Sequence, residues 1–233
     1  MIANKHATPL NELAIFSGIP ANQIHELIQG GVAVSSKHRG VLFRAGEPAP
    51  SFMIVLIGAY KLFRQDLSGN ETIMYFAGPG DLIGGPIMVR PEPIYPISAA
   101  SIGESMVLRI PRETYLKSWA NNVKLQQKLN EILFFRMNHI QEEKTSQRLP
   151  LAVKLALLLM TLVERYSNGS DHILPLPITR QELADSVGAT VESVIRMLGE
   201  WNSAGILKLE SRQIEVADLD RLFEVARGES SKD

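Results

Sequence analysis

Cysteine is absent from all 233 residues. Its absence excludes cysteine-ligated iron–sulfur clusters, thiolate zinc sites, disulfides and thiol redox sensing in this chain, so any sensing must use other atoms. No run of about eighteen apolar residues occurs, and Met1-Ile-Ala-Asn-Lys-His6 lacks the charged-then-apolar order of a signal peptide. Cytoplasmic residence is the resulting expectation. An excess of positive charge is missing too. Formal net charge is −1, and from Arg148 onward ten Lys/Arg stand against thirteen Asp/Glu. Non-specific attraction to phosphate is therefore modest, although Arg180, Arg196, Lys208 and Arg212 concentrate positive charge in one C-terminal region. No Gly-rich P-loop, nucleophile elbow, metal-binding His pair or cysteine nucleophile is found, so no enzyme is expected.

What is present is a chain 45% hydrophobic, long enough to bury a core and to divide into two domains. Its most informative stretch is Ile178-Thr-Arg-Gln-Glu-Leu183 and the residues that follow. Thr179 can cap a helix N-terminus, and Glu182 three residues on completes a capping box. Leu183, Ala184 and Val187 give that helix an apolar stripe, Gly188 supplies a tight turn, and Thr190 caps a second helix. Along the second helix Val194, Met197 and Leu198 point inward, while Val191, Glu192, Ile195 and Arg196 lie toward the outer, N-terminal face. Two capped helices around a Gly turn form a helix-turn-helix, and those four residues should meet bases.

The rest of the chain divides by pattern. Residues from Met1 to about Ser36 read as accessory helices, with Leu10, Leu13, Ile24, Leu27 and Ile28 at helical spacing around Gly18-Ile-Pro20. From Gly40 to Ile110, short apolar runs (Met53–Ile57, Ala59–Phe63, Thr72–Phe76, Met106–Ile110) alternate with Gly, Pro and Ser-Gly-Asn punctuation. That is the signature of an antiparallel barrel or sandwich, with Leu67–Glu71 as a hairpin tip. Pro111 to about Arg148 then reads as one long helix without internal glycine or proline. A seam runs through Val123, Gln126, Asn130, Leu133, Met137 and Ile140, and a second stripe through Leu125, Leu129, Ile132 and Phe135. One face should cover the β-domain and the other a partner helix, with Asn130 fixing register; the alternative is the amphipathic core helix of a monomer. Pro150 restarts the chain as a helix over Leu151–Tyr166. Beyond the reading head, Ile206–Glu210 and Gln213–Val216 form a β-wing, and Asp218 to about Arg227 a last helix. The domains are therefore expected at 1–110, 111–148 and 149–233.

In this order and spacing, Leu42-Phe-Arg-Ala-Gly-Glu-Pro48, Gly58-Ala-Tyr-Lys-Leu62, Gly78-Pro-Gly-Asp-Leu-Ile-Gly84 and Ile178–Leu183 resemble the cyclic-AMP receptor/fumarate-nitrate-reduction (CRP/FNR) superfamily of bacterial transcription regulators. The resemblance runs from about Gly40 to Val216. It implies an α+β fold: an N-terminal β-roll (a cyclic-nucleotide-binding-like jelly roll), a long dimerisation helix and a C-terminal winged helix-turn-helix. It also implies a homodimer on a two-fold symmetric duplex operator, with RNA polymerase as a further partner and no membrane. Glu192 and Arg196 match the family's paired base-reading Glu and Arg. The chemistry agrees, since a carboxylate accepts from cytosine N4 and a guanidinium donates twice to guanine. Val191 resembles the oxygen-regulator branch rather than the cyclic-AMP branch, and Ile195 departs from both. These two are expected to touch thymine methyls around a TGA-like core. Thr179, Arg180, Thr190, Ser193, Lys208 and Arg212 complete the expected DNA contacts, chiefly to phosphates.

The sensor departs from the cyclic-AMP branch. Where that branch carries a Glu for the ribose and an Arg for the cyclic phosphate, this chain has Gly85 and, by approximate alignment, Tyr95-Pro96. Burying a phosphate without its cationic partner costs several kcal/mol, so cyclic AMP is not expected to bind in the usual mode. The pocket lining is expected to comprise Phe76, Ile83, Gly84, Gly85, Tyr95, Ile97, Leu129, Leu133 and Met137. Three readings stand in order: an unknown small effector, an effector-independent regulator, and a haem-dependent gas sensor. Haem needs an axial ligand, and none of His6, His25, His38 and His139 sits in a ligand motif. A module of another class, one that binds ligands or proteins and keeps a vestigial DNA domain, is the alternative that the acidic C-terminal balance favours.

Overall fold

A computed structural model describes residues 9–146, 148–167, 172–210 and 213–228, with side chains left aside over 138–146. The chain divides into two compact units, Met1–Arg64 with Met74–Ile140 and Gln65–Ile73 with Gln141–Asp233. Among the described residues no helix is long and apolar enough to cross a membrane.

The first unit opens with two 3₁₀ turns and helix α1 (Ala21–Leu27). Residues 32–36, expected to continue the N-terminal helices, instead form strand β1 (Val32–Ser36), paired antiparallel with β6 (Ser98–Pro111). Two glycines force the change. Gly30 has φ 71, and a Cβ on Gly31 would lie 2.7 Å from the Ile28 carbonyl oxygen and 3.1 Å from Leu108 Cδ1, so the chain turns tightly onto β6. Strands β2 (Val41–Phe43), β3 (Ser51–Gln65), β4 (Glu71–Ala77) and β5 (Leu82–Ile83) complete a six-stranded sheet of order β1-β6-β3-β4, in which β2 pairs with β6 and β5 with β3.

The two apolar runs expected as separate strands are one 15-residue strand, β3, whose register against β6 slips at Ile57 and Ala59. Gly58, at φ 76, makes this bulge, because a Cβ there would collide with Ser105 Oγ and lie 2.6 Å from the Glu104 carbonyl oxygen. Ser105 Oγ accepts from the Ala59 amide at 3.1 Å and sits within 3.1 Å of the Ala59 and Ile102 carbonyl oxygens. The buried hydroxyl thereby supplies the partner that the slipped ladder loses.

The expected single helix from Pro111 is also corrected. It is a helical turn α2 (Arg112–Thr114), a π turn over Tyr115–Trp119, a break at residues 120–122, and then α3 (Val123–Ser146). Tertiary contacts make the break. Trp119 is fully buried, its indole N–H donates to the Leu27 carbonyl at 2.8 Å, and its ring meets the Phe52 ring edge-on at 4.9 Å. Asn122 Oδ1 then accepts from the Leu125 amide at 3.2 Å, and Gln126 donates to the Trp119 carbonyl at 2.9 Å, so α3 begins with its own cap.

The second unit holds α4 (Leu151–Tyr166), β7 (Ile173–Leu174), α5 (Arg180–Val187), α6 (Val191–Ser203), β8 (Leu207–Glu210), β9 (Gln213–Val216) and α7 (Leu219–Ala226). The expected two-stranded wing is the outer part of a three-stranded sheet of order β7-β9-β8. Asp218 caps α7, accepting from the Arg221 amide at 2.9 Å. Leu155, Ala156, Leu159, Leu183 and Leu222 are all fully buried in this unit. Helix propensity alone would not hold helices as short as α5 and α7, so this packing supplies their stability.

Candidate nucleic-acid interface

Both helices of the helix-turn-helix are fixed by local chemistry. The Thr179 hydroxyl accepts from the Glu182 amide at 3.2 Å and donates to Glu182 Oε2 at 2.8 Å, and the Thr179 amide reaches the same oxygen at 2.8 Å. Glu182 is buried as a result. At the other end of α5, Gly188 takes the left-handed conformation (φ 65, ψ 48), and the Ala189 amide donates to the Ala184 carbonyl at 3.0 Å. Thr190 begins α6 by accepting from the Ser193 amide at 3.3 Å and donating to the Ser193 hydroxyl at 3.0 Å.

Val194, Leu198 and Trp201 seat α6 in the core, with Met197 half-buried. Glu192, Ile195 and Arg196 are exposed together on the opposite face, Ile195 at 54%, while Val191 is half-buried at its edge. Glu192 and Arg196 lie four residues apart, where an ion pair is geometrically open to them. Among the described residues neither is engaged by another side chain. Their hydrogen-bonding groups are free for an external partner, and an exposed β-branched residue beside them costs water contact that such a partner would remove.

The remaining expected contacts are placed differently. Thr179, Thr190 and Ser193 use their hydroxyls in capping, and Arg180 is half-buried at the start of α5. Lys208 is exposed on β8 but lies 2.7 Å from Glu215 of β9, which holds its ammonium above the usual lysine range. Arg212 lies outside the described residues, as do His6 and the side chains of His139 and Ile140.

The expected effector lining splits into two groups. Phe76, Ile83, Tyr95 and Leu129 are buried, Ile97 packs against the core cluster that contains the last three, and Leu133 and Met137 stand open on α3. Tyr95 stacks on Phe43 with ring centroids 3.6 Å apart, and its hydroxyl donates to the Ser51 carbonyl at 2.6 Å. Burial pushes its phenol pKa above the ordinary value. A Cβ on Gly84 would lie 3.2 Å from Tyr95 Cε1, and one on Gly85 would strike the Leu82 side chain, with Leu129 Cδ2 at 3.6 Å. Tyr95 and Leu82 thus crowd the positions where a side chain on Gly84 or Gly85 would begin.

Sequence reasoning missed two arginines. Arg109 of β6 has a buried Nε that finds no hydrogen-bond partner among the described residues. The signal was a charge inside the apolar run Met106–Ile110. Arg136 of α3 donates to the Leu82 carbonyl at 2.7 Å and lies 4.4 Å from the Tyr75 ring centroid, tying the helix to the sheet. On α3 itself, Leu125 and Leu129 are buried and Ile132 packs on the core as expected, but Phe135 of that stripe is 43% exposed. Val123, Asn130, Leu133 and Met137 of the seam are exposed with Phe134 beside them, whereas Gln126 is half-buried.

Compared with known families, residues 33–122 match the cyclic nucleotide-binding domain and residues 153–225 the Crp-like helix-turn-helix domain. An anaerobic regulatory protein of Pasteurella multocida is 29% identical over 189 residues, covering 80% of this chain and 68% of that protein. A CRP-like cAMP-activated global transcriptional regulator of Mycobacterium tuberculosis is 26% identical over 227 residues, 94% of this chain and 98% of the other. The structure of FixK2 from Bradyrhizobium japonicum shares the fold, with a TM-score of 0.74 at 23% identity over 84% of this chain and 96% of that one.

Proposed function

The chain belongs to the CRP/FNR superfamily of DNA-binding transcription regulators, and from that premise we propose that it reads a two-fold symmetric operator as a homodimer, under an effector other than cyclic AMP or without one. Regulators of this family bind DNA and typically act as dimers; they are not enzymes. The observation that carries the reading is the exposed trio Glu192, Ile195 and Arg196 on one face of α6, with both charged groups unengaged among the described residues. Arg196 donates to guanine and Glu192 accepts from cytosine, while Ile195 and the edge of Val191 meet thymine methyls around a TGA-like core. Arg180, Ser193, Lys208 and Arg212 are assigned to phosphates, with Lys208 exchanging Glu215 for the backbone.

The second copy docks on the exposed stripe of α3, through Val123, Leu133, Phe134 and Met137, which sets the half-sites about 34 Å apart. On this reading residues 1–110 sense, 111–148 connect and 149–233 read. Cyclic AMP is set aside because Gly85 and Tyr95 offer its ribose and phosphate no carboxylate and no cation, and RNA polymerase is assigned as the further partner. Selection of duplexes from a random pool tests the reading. Arg196→Ala should lose about 1–3 kcal/mol on the selected site and little on other DNA. An unchanged ratio, or equal binding to operators with and without the central G·C pair, would refute the assignment.

A further inference from the structure

Helix α6 carries one residue that the chain's own packing does not explain. Gly199 lies in the interior of this 13-residue helix, yet its φ is not positive and a Cβ built on it meets nothing within 4 Å. The glycines on either side differ, since Gly188 and Gly205 sit at φ 65 and φ 75, where only glycine is unstrained. A glycine inside an exposed helix costs about 0.5–1 kcal/mol relative to alanine. Nothing within the described chain offsets that cost.

Its position supplies the reason. At roughly 100° per residue, Gly199 falls on the same stripe as Glu192, Ile195 and Arg196, four residues after Ile195 and three after Arg196. At 1.5 Å per residue it lies about 10 Å along the axis from Glu192, and the major groove is about 12 Å wide. With Glu192 and Arg196 at the base edges, Gly199 therefore comes to the lip of the groove, against the sugar–phosphate wall.

We propose that Gly199 is a positioning residue for DNA, where the bare backbone of α6 abuts the sugar–phosphate wall and any side chain would lift the helix away from the bases. The inference rests on the reading that α6 enters DNA, and its test separates the two. Wild type, Gly199→Ala, Gly199→Gln and Arg196→Ala are compared on the duplex that wild type selects from a random pool, alongside thermal melting. Both Gly199 variants should melt at or above the wild-type temperature, since Ala and Gln favour helix. Affinity for the selected duplex should nonetheless fall about tenfold for Ala and further for Gln. Wild-type affinity in both Gly199 variants, or a loss of affinity matched by a lowered melting temperature, overturns the proposal. If Arg196→Ala weakens binding while the Gly199 variants do not, only the glycine inference falls. If no duplex is selected, or Arg196→Ala has no effect, the reading of α6 falls and the glycine inference with it.

Discussion

Restoring the missing cyclic-nucleotide contacts, by Gly85→Glu combined with Tyr95→Arg, should break the sensor instead of creating a binding site. Tyr95 is 3% exposed and stacked on Phe43, and such a pair is worth about 0.5–1.5 kcal/mol beyond its buried area. Its hydroxyl serves the Ser51 carbonyl at 2.6 Å, and stranding that buried acceptor costs about 1–3 kcal/mol. The new glutamate places its Cβ into Leu82, whose Cγ would lie 2.9 Å away, and overpacking of this kind costs about 1–3 kcal/mol. Before any penalty for a buried guanidinium, the variant should lose about 3–7 kcal/mol, a large part of the 5–15 kcal/mol that holds a typical domain together. Urea unfolding followed by tryptophan fluorescence reads the loss, since Trp119 lies in the same unit, and titration calorimetry with cyclic AMP reads binding. Tyr95→Phe isolates the hydroxyl and should cost about 1–3 kcal/mol alone. A double variant as stable as wild type that binds cyclic AMP would refute the reasoning, because it would mean that the space is open.

Replacing Leu133 and Met137 together by Glu should give a monomer in analytical ultracentrifugation with an unchanged fold, since both side chains are exposed in the single chain; a persistent dimer would place the interface elsewhere. Thr179→Ala should lower the stability of the helix-turn-helix by about 1 kcal/mol, and Thr179→Ser should restore it. Were Thr179 chiefly a phosphate contact, Ala would instead reduce the salt dependence of DNA binding at unchanged stability. Burial holds the phenols of Tyr60 and Tyr95 above their ordinary value of 10.0, so the folded chain keeps protons that the unfolded chain releases. Stability from this source is intact below pH 10 and falls as pH rises toward the raised values. A urea midpoint that stays flat through that range, or that falls equally when both are Phe, would count against it.

How much of this was legible follows from the range of the interactions involved. The helix-turn-helix could be read from the sequence because its determinants are local: Thr179 with Glu182, Gly188 at the turn, and Thr190 with Ser193 each act within three or four residues. The β-roll was legible as a class but not in register. Gly58 looks like a break between strands until Ser105, 46 residues beyond Ala59, is seen holding the bulge. The interruption of the long helix has no glycine or proline to announce it. It depends on Trp119 reaching Leu27, 92 residues earlier in the chain. Residues 32–36 carry too short a pattern to declare a strand, and pairing with β6 decides them. The effector lining could not be read residue by residue for a further reason, since an apolar residue lining a pocket and an apolar residue filling one look the same in sequence.

The crowding at Gly84 and Gly85 also bears on how any signal would travel. A Cβ on Gly85 would meet both Leu82 and Leu129, and the Leu82 carbonyl is the acceptor for Arg136. Leu129 and Arg136 are both on α3 about two helical turns apart, so the helix faces the space at Gly85 with one and holds the Leu82 carbonyl with the other. The same stretch of helix presents Leu133 and Met137 on its exposed side. A ligand of any chemistry entering beside Gly84 and Gly85 must displace Tyr95, Leu82 or both, because close-packed interiors do not yield continuously. Moving Leu82 shifts the acceptor of Arg136 and the surface under Leu129, and α3 has to follow. The ligand can bias the helix only by the difference in its affinity for the two arrangements. For a ligand that enters by displacing Tyr95, the energy needed to unstack it from Phe43 and free its hydroxyl from Ser51 is a threshold that binding must exceed before α3 can shift.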